Sequence, residues 1–455
     1  MKNLLKPLSL ALFVAATLPT QSTYIRTSPP ANTIIPATSP SSSFCKAIGG
    51  EKFDAGVSLI QTSDGGYAIA GYTESFGAGE KDVYVVKLDA NGNLQWTKTI
   101  GGPESEEGNS LIQTSDGGYA IAGYTTSFGA GEWDVYVVKL DANGNLQWTK
   151  TIGGKGWDVG ISLIQTSDGG YAITGLTQSF GAGGADVYVV KLDASGNLQW
   201  TKTFGGKNDD GGISLVQTSD GDYAIAGSTR SFGAGEADVY VVKLDANGNL
   251  QWTKTIGGKK HDVGSSLIQT SDGGYAITGA TKSFGAGEAD VYVVKLDANG
   301  NLQWTKTIGG PGYEIGHSLI QTSDGGYAIA GNTESLSFGA GWNDVYVVKL
   351  DANGNLQWTK TIGGPGSEEG YSLIQTSDGG YAIAGYTKSF GAGKNDVYVV
   401  KLDKNGHACC AVSQTSQVGS GGTLSSATPS IGSGGTLTSP TSSTSSGGTL
   451  TNQCQ

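Results

Sequence analysis

Asp89-Ala-Asn-Gly-Asn-Leu-Gln-Trp96-Thr-Lys-Thr-Ile-Gly-Gly102 is the stretch that decides the fold, because the chain repeats it. The same tryptophan returns as Trp148, Trp200, Trp252, Trp304 and Trp358. The step is 52 residues four times and then 54, where Ser335-Leu336-Ser337 carries two extra residues. A second phrase, Asp-Val-Tyr-Val-Val-Lys-Leu-Asp, begins at Asp82, Asp134, Asp186, Asp238, Asp290, Asp344 and Asp396, which makes seven copies. A fixed period of this length means stacked supersecondary units that share a core.

Each unit reads as four strands. In the first, Ser58 to Thr62 is a short apolar run, and Ser63-Asp-Gly-Gly66 turns it into Tyr67 to Thr73. A longer connection, Glu74 to Lys81, leads to Val83 to Leu88, and Ala90-Asn-Gly-Asn93 leads to Leu94 to Ile100. Asp-Gly, Gly-Gly and Asn-Gly between β-prone runs are hairpin signals, because the tight turns need positive φ. Such units bury their faces by radial stacking. The array opens on Phe44-Cys-Lys-Ala-Ile-Gly-Gly50, which aligns with Trp96 to Gly102, and it closes after a third strand at Leu402. The expected fold is therefore all-β: a seven-bladed β-propeller of four-stranded antiparallel blades, closed by the N-terminal strand. Closure removes sheet edges that would otherwise pair with other chains.

The expected domains are a signal peptide at 1–22, a Pro/Ser/Thr-rich linker at 23–43, the propeller at 44–410 and a Ser/Thr/Gly-rich tail at 411–455. Lys2 and Lys6 precede an apolar run from Leu8 to Leu18, too short to span a bilayer comfortably, so no membrane span is expected after cleavage. The tail has no charged residue and repeats Gly-Gly-Thr-Leu with a period of 13, a composition expected of a flexible or glycosylated stalk, with short strands adding to a neighbour as the alternative. Cys45, Cys409, Cys410 and Cys454 all lie at the margins of the array. In an exported chain an even count suggests disulfides. Three pairings are open, and Cys45 with Cys409 or Cys410 is preferred because Cys45 lies in the closing strand.

A net charge of −12 and only two arginines, Arg26 and Arg230, exclude nucleic acid as an expected partner. Catalysis finds little support. His261, His317 and His407 form no metal-spaced cluster, and no Ser-His-Asp or Cys-His set is present. The carboxylate pairs Glu106-Glu107 and Asp209-Asp210 leave a glycoside hydrolase open on residue type alone.

The words Trp-Thr-Lys-Thr-Ile-Gly-Gly, Thr-Ser-Asp-Gly-Gly-Tyr and Asp-Val-Tyr-Val-Val-Lys-Leu-Asp resemble the β-propeller repeats of many secreted bacterial and archaeal proteins, from Phe44 to about Gly406. That resemblance implies the fold and is nearly silent on activity. Asp89 to Trp96 is also similar to the tryptophan-docking repeat of quinoprotein dehydrogenases, where an acidic turn precedes a Trp wedged between blades. It lacks the Thr-Gly-Lys of that repeat and is one residue shorter between Asp and Trp. The adjacent Cys409 and Cys410 resemble the vicinal disulfide of some of those enzymes, but follow the array.

Two sets of residues are candidate sites. One position in the variable interblade loop is always acidic: Asp54, Glu106, Asp158, Asp210, Asp262, Glu314 and Glu368. A ring of carboxylates near the channel mouth could take a hard cation such as calcium, or could simply accept bonds from its own loop. The aromatics that do not repeat, Trp133, Trp157, Tyr313, Trp342 and Tyr371, are candidates for stacking on sugars or anchoring a protein. The expected function is a secreted or cell-surface binding or structural module with recognition on the variable-loop face, for an extracellular protein or glycan. The alternatives are a carbohydrate-active or quinone-dependent enzyme on the same fold, and a passive surface-coat component.

Overall fold

The computed structural model describes residues 43–334, 338–339 and 341–408, and the backbone of seven short strands between 411 and 452. The signal segment, the linker and Ser335-Leu336-Ser337 lie outside the described residues. Seven four-stranded antiparallel blades form a ring, and among the described residues there is no helix. In the first blade the strands are Asp54–Gln61, Tyr67–Thr73, Asp82–Leu88 and Leu94–Gly101, from the centre outward. The inner strand begins four residues earlier than the apolar run suggests, so the acidic ring residue opens a strand instead of sitting in a loop. Strand directions place the 62–66 and 89–93 turns on one face, and the 74–81 and 102–105 connections on the other, here the upper face.

The ring closes as its ends predict. Phe44–Gly49 pairs antiparallel with Asp396–Leu402, with Cys45 opposite Val400 and Ile48 opposite Val397, and becomes the outer strand of the last blade.

The core lies in seven slabs, each between two blades. Ala68, Val83, Val85 and Ile100 of one blade pack on Leu111, Tyr119, Tyr136 and Val138 of the next. Six of the slabs carry a Trp at their lower rim. Trp96 meets Tyr119 edge to face at 5.8 Å, and Phe44 meets Tyr67 in the same way at the closing junction. The repeated tryptophans are thus wedges between blades. Gly144 shows why the turn below needs its glycine: φ is +77°, and a Cβ would stand 3.0 Å from the Trp96 ring.

Below each slab a buried lysine recurs. Lys87 Nζ lies 2.9 Å from Asp64 Oδ2 and also donates to the Leu88 carbonyl. In the fourth blade Asp222 replaces a turn glycine and takes the place of the partner of Lys243, at 3.1 Å.

The tail departs from the expected free stalk. Its described residues form seven strands, Ala411–Gln414, Gln417–Gly419, Thr423–Ser425, Ser430–Gly432, Thr436–Thr438, Ser443–Ser445 and Thr449–Asn452. Each pairs antiparallel with the outer strand of one blade, and every blade receives one. The tail visits the sixth blade first, then the fifth down to the first, and last the closing strand, where Leu450 pairs with Ile48. Composition argued for a stalk because Ser, Thr and Gly bury little. Edge pairing needs main-chain groups, and these residues supply them freely.

Candidate functional site

The scaffold that joins the blades is a set of circular hydrogen bonds. Ser58 Oγ accepts from the Leu111 amide at 3.0 Å, and the same bond links every blade to the next, ending with Leu59 N to Ser372 Oγ. A second circle runs from Gln113 Oε1, which accepts from Ser63 N at 2.8 Å, to Gln61 Oε1, which accepts from Ser377 N at 2.9 Å.

Each inner strand carries a β-bulge just before this serine, between Gly56 and Ser58 and their equivalents. Bulges re-aim a side chain and are common beside sites. The residue left unpaired differs in almost every blade: Val57, Asn109, Ile161, Ile213, Ser265, His317 and Tyr371. The neighbouring positions vary with it. Ala55, Glu107, Val159 and Glu369 occupy one of them, and Tyr72, Tyr124, Leu176 and Tyr386 another.

These variable positions meet as one polar and aromatic arc. Glu369 accepts from the Tyr371 hydroxyl at 2.8 Å and the Tyr386 hydroxyl at 2.9 Å. His317 lies edge-on to Tyr371 at 5.4 Å, and its Nε2 contacts Asn332 Oδ1 at 2.8 Å. Lys81 makes a 2.6 Å ion pair with the buried Glu107, and its ammonium sits 4.3 Å from the centre of the Tyr72 ring. Tyr124, buried beside Glu107, stacks on Trp133 at 4.4 Å, which stacks on Trp157 at 5.1 Å. The Trp157 indole N–H donates to Glu132 at 2.6 Å.

Burial first, and then the carboxylates of Glu107, Glu74 and Glu369, push the Tyr72 phenol above its ordinary range. Tyr371 and Tyr386 are raised by burial and then by Glu369. Burial lowers His317. The phenols and the imidazole are therefore neutral donors and acceptors at neutral pH. Beside the Tyr124–Trp133 end of the arc the wall turns apolar, with Leu176, Ala185, Ile213, Ala237 and Val263 around a small cavity next to Asp209 and Arg230.

The structure brings together three of the five singled-out aromatics, Trp133, Trp157 and Tyr371. Tyr313 lies apart, with Lys282 at 5.3 Å over its ring; a bond to Glu288 and then burial raise its phenol to about 12. Trp342 stands on the long connection of the sixth blade at 74% exposure, the only exposed large hydrophobic side chain among the described residues. Glu107, Glu369, Tyr72, Tyr124, Tyr386 and Lys81 were missed as a group. Their signal was present, since all but Lys81, which ends a connection, are strand positions that differ between copies otherwise alike.

The acidic ring is buried, and its oxygens are occupied within each blade. Asp158 accepts from Thr177 Oγ1, from Ser179 Oγ at 2.6 Å and from Gly154 N at 2.7 Å. Glu106 accepts from Thr125 Oγ1 and Gly102 N, both at 2.6 Å. Among the described residues no three His, Cys, Asp or Glu side chains come together as a metal site. Calcium titrated into the full chain is accordingly expected to give no saturable heat; a saturable isotherm would restore the ring as a cation site. The aspartates that open the third strands have a loop role too, with Asp82 Oδ2 accepting from Ala78 N at 2.9 Å and Gly79 N at 3.1 Å.

The model of a protein family described as outer membrane protein assembly factor BamB matches residues 134–448. The chain belongs to this family. A β-propeller domain of unknown function also matches residues 114–146. The regulatory protein FlaEY of Caulobacter vibrioides is 29% identical over 166 residues, covering 31% of this chain and 17% of that protein, so the chain spans a small part of that relative. Among solved structures, Sqt1 from Chaetomium thermophilum is 12% identical with a TM-score of 0.45, covering 80% of this chain and 99% of that one. The NanB sialidase of Streptococcus pneumoniae is 11% identical with a TM-score of 0.42, covering 84% and 72%. A protein of unknown function from Bacteroides caccae is 11% identical with a TM-score of 0.37, covering 70% and 93%. Likenesses this distant carry no reading of activity.

Proposed function

We propose that the chain is an exported binding module whose ligand docks on the upper face, over the arc from His317 through Glu369, Tyr72 and Glu107 to Trp157. One observation carries this reading: blades nearly identical in sequence differ mainly at the positions that meet around this mouth. Loops and bulges on a rigid scaffold are the usual place for recognition. Carboxyl groups backed by phenols, beside a stacked aromatic column, suit a hydroxyl-rich glycan, which offers donors to the acids and an apolar ring face to the aromatics.

A protein partner is the second reading. The exposed Trp342 on the same face and the family's description as an assembly factor favour it. Export rests on the N-terminal signal pattern and agrees with that family description. Cys45 is buried and not free, while the other three cysteines lie outside the described residues. Its proposed partner is Cys409 or Cys410, the two thiols giving two electrons and two protons to a disulfide-bearing oxidant of the exporting compartment.

The test is a glycan array and a partner capture with the full chain, beside Trp133→Ala with Trp157→Ala and beside Glu369→Gln. Binding is expected to fall at least about tenfold in each, with thermal unfolding of the glutamine variant little changed. Retained binding in all variants would sink the arc. Turnover of a polysaccharide would move the reading to an enzyme.

A further inference from the structure

The tail and the propeller share one arithmetic. The residue that faces the last isoleucine of each outer strand, or Phe204 in its place, is Ala411, Val418, Leu424, Ile431, Leu437, Thr444 and Leu450 in turn. These positions advance by seven and six residues alternately, so two blades take 13 residues, the period of the tail itself. Five of the seven are Val, Leu or Ile in a tail whose other residues are mostly Ser, Thr and Gly. The repeat is thus a ruler cut to the pitch of two blades. The seven stations complete one circuit, which starts beside Cys409 and Cys410 and ends two residues before Cys454, on the strand that contains Cys45.

We propose that the tail is a belt: a β-augmentation ligand carried in cis, which occupies the outer edge of every blade and closes the ring a second time. The edge it covers, Thr99 to Gly101 and its equivalents, is the one sheet edge that the radial stacking of blades leaves open. An open edge is a template for pairing with another chain, and a short segment that pairs there in cis keeps copies apart. Each station is only three or four residues and weak by itself. Linked in series, each paired station raises the effective concentration of the next, so the belt zips as a unit. The belt also fixes the kind of partner that could compete for these edges: an uncharged Ser/Thr/Gly-rich strand with an apolar residue every six or seven positions, such as the tail of a second copy.

Hydrogen exchange on the full-length chain tests this beside a variant lacking residues 432–444, one period, which keeps all four cysteines. In the full chain, tail amides in the paired stations are expected to exchange at least about tenfold more slowly than an unstructured peptide of the same sequence. In the shortened chain the belt is two stations short, so outer-strand amides of two blades should lose protection, and the protein should self-associate on size exclusion. Tail amides that exchange at the free-peptide rate in the full chain would overturn the belt. So would seven equally protected outer strands, with no self-association, in the shortened one.

Discussion

Ile48→Asp is expected to leave no stably folded monomer, although the residue lies outside the seven copies of the third-strand phrase. Ile48 is fully buried in the slab between the last and first blades, against Val397, Val399, Leu59 and Tyr84. A carboxylate there has no partner and loses its hydration, which places the substitution among the most destabilising kinds. It also unseats the strand that completes the last blade, so the damage reaches the ring and not one contact. Ile48→Val removes one methylene and should cost about 1 kcal/mol. Thermal unfolding and size exclusion of the two variants check this. A cooperative melt of Ile48→Asp near that of the parent would show that the closing strand is dispensable.

The second large effect is an inverted pH dependence of stability. At each blade junction two buried carboxyl groups face each other across a glycine. At Gly205 a Cβ would collide with both Asp186 and Asp210. Asp186 Oδ1 has no hydrogen-bond partner among the described residues, and burial first, then Asp210, push its pKa up to about 6. Asp82, Asp134, Asp238, Asp290 and Asp396 are raised by burial in the same way.

A folded state that holds these protons is favoured below the ordinary Asp value and loses that advantage as pH rises through about 6. The lower face works the other way. Burial opposes ionisation of Asp64, but bonds from Thr62, Lys87 and Gly66 hold its pKa down at about 2, so this contribution is lost only as pH falls toward that value. The melting temperature is therefore expected to peak near about pH 4 and to fall toward pH 7. Asp186→Asn, which resembles the protonated side chain, should flatten part of that fall. A melting temperature that rises steadily from pH 4 to pH 7 would contradict the carboxyl pairing.

Much of this was legible in the sequence. Period, turn residues and the offset between the two ends of the array specify blade number and closure, because hairpin chemistry is local and the closing strand is a misplaced copy of a repeated one. The acidic ring was visible as a position, but not as the first residue of a strand. Asp54 follows Phe53 without an apolar alternation to mark the start, and its partners Thr73 and Ser75 lie a hairpin away. The arc was hidden for a different reason. Glu107 and Tyr124 are separated along the chain and meet as cross-strand partners, and Trp133 comes to stack on Tyr124 from the following connection. The tail misled through composition: Ser, Thr and Gly are read as poor core formers, yet main-chain pairing at an edge requires no core.

The circle of serine bonds also orders events in time. All but one of its links join neighbours in the chain, such as Ser58 to Leu111 across 53 residues, while the bond from Leu59 to Ser372 spans 313. Successive blades can therefore dock as they are made, but the first strand of the ring must wait for the last blade. Until then the growing arc keeps one uncovered flank at each end, and closure, the most non-local step, should set the folding rate.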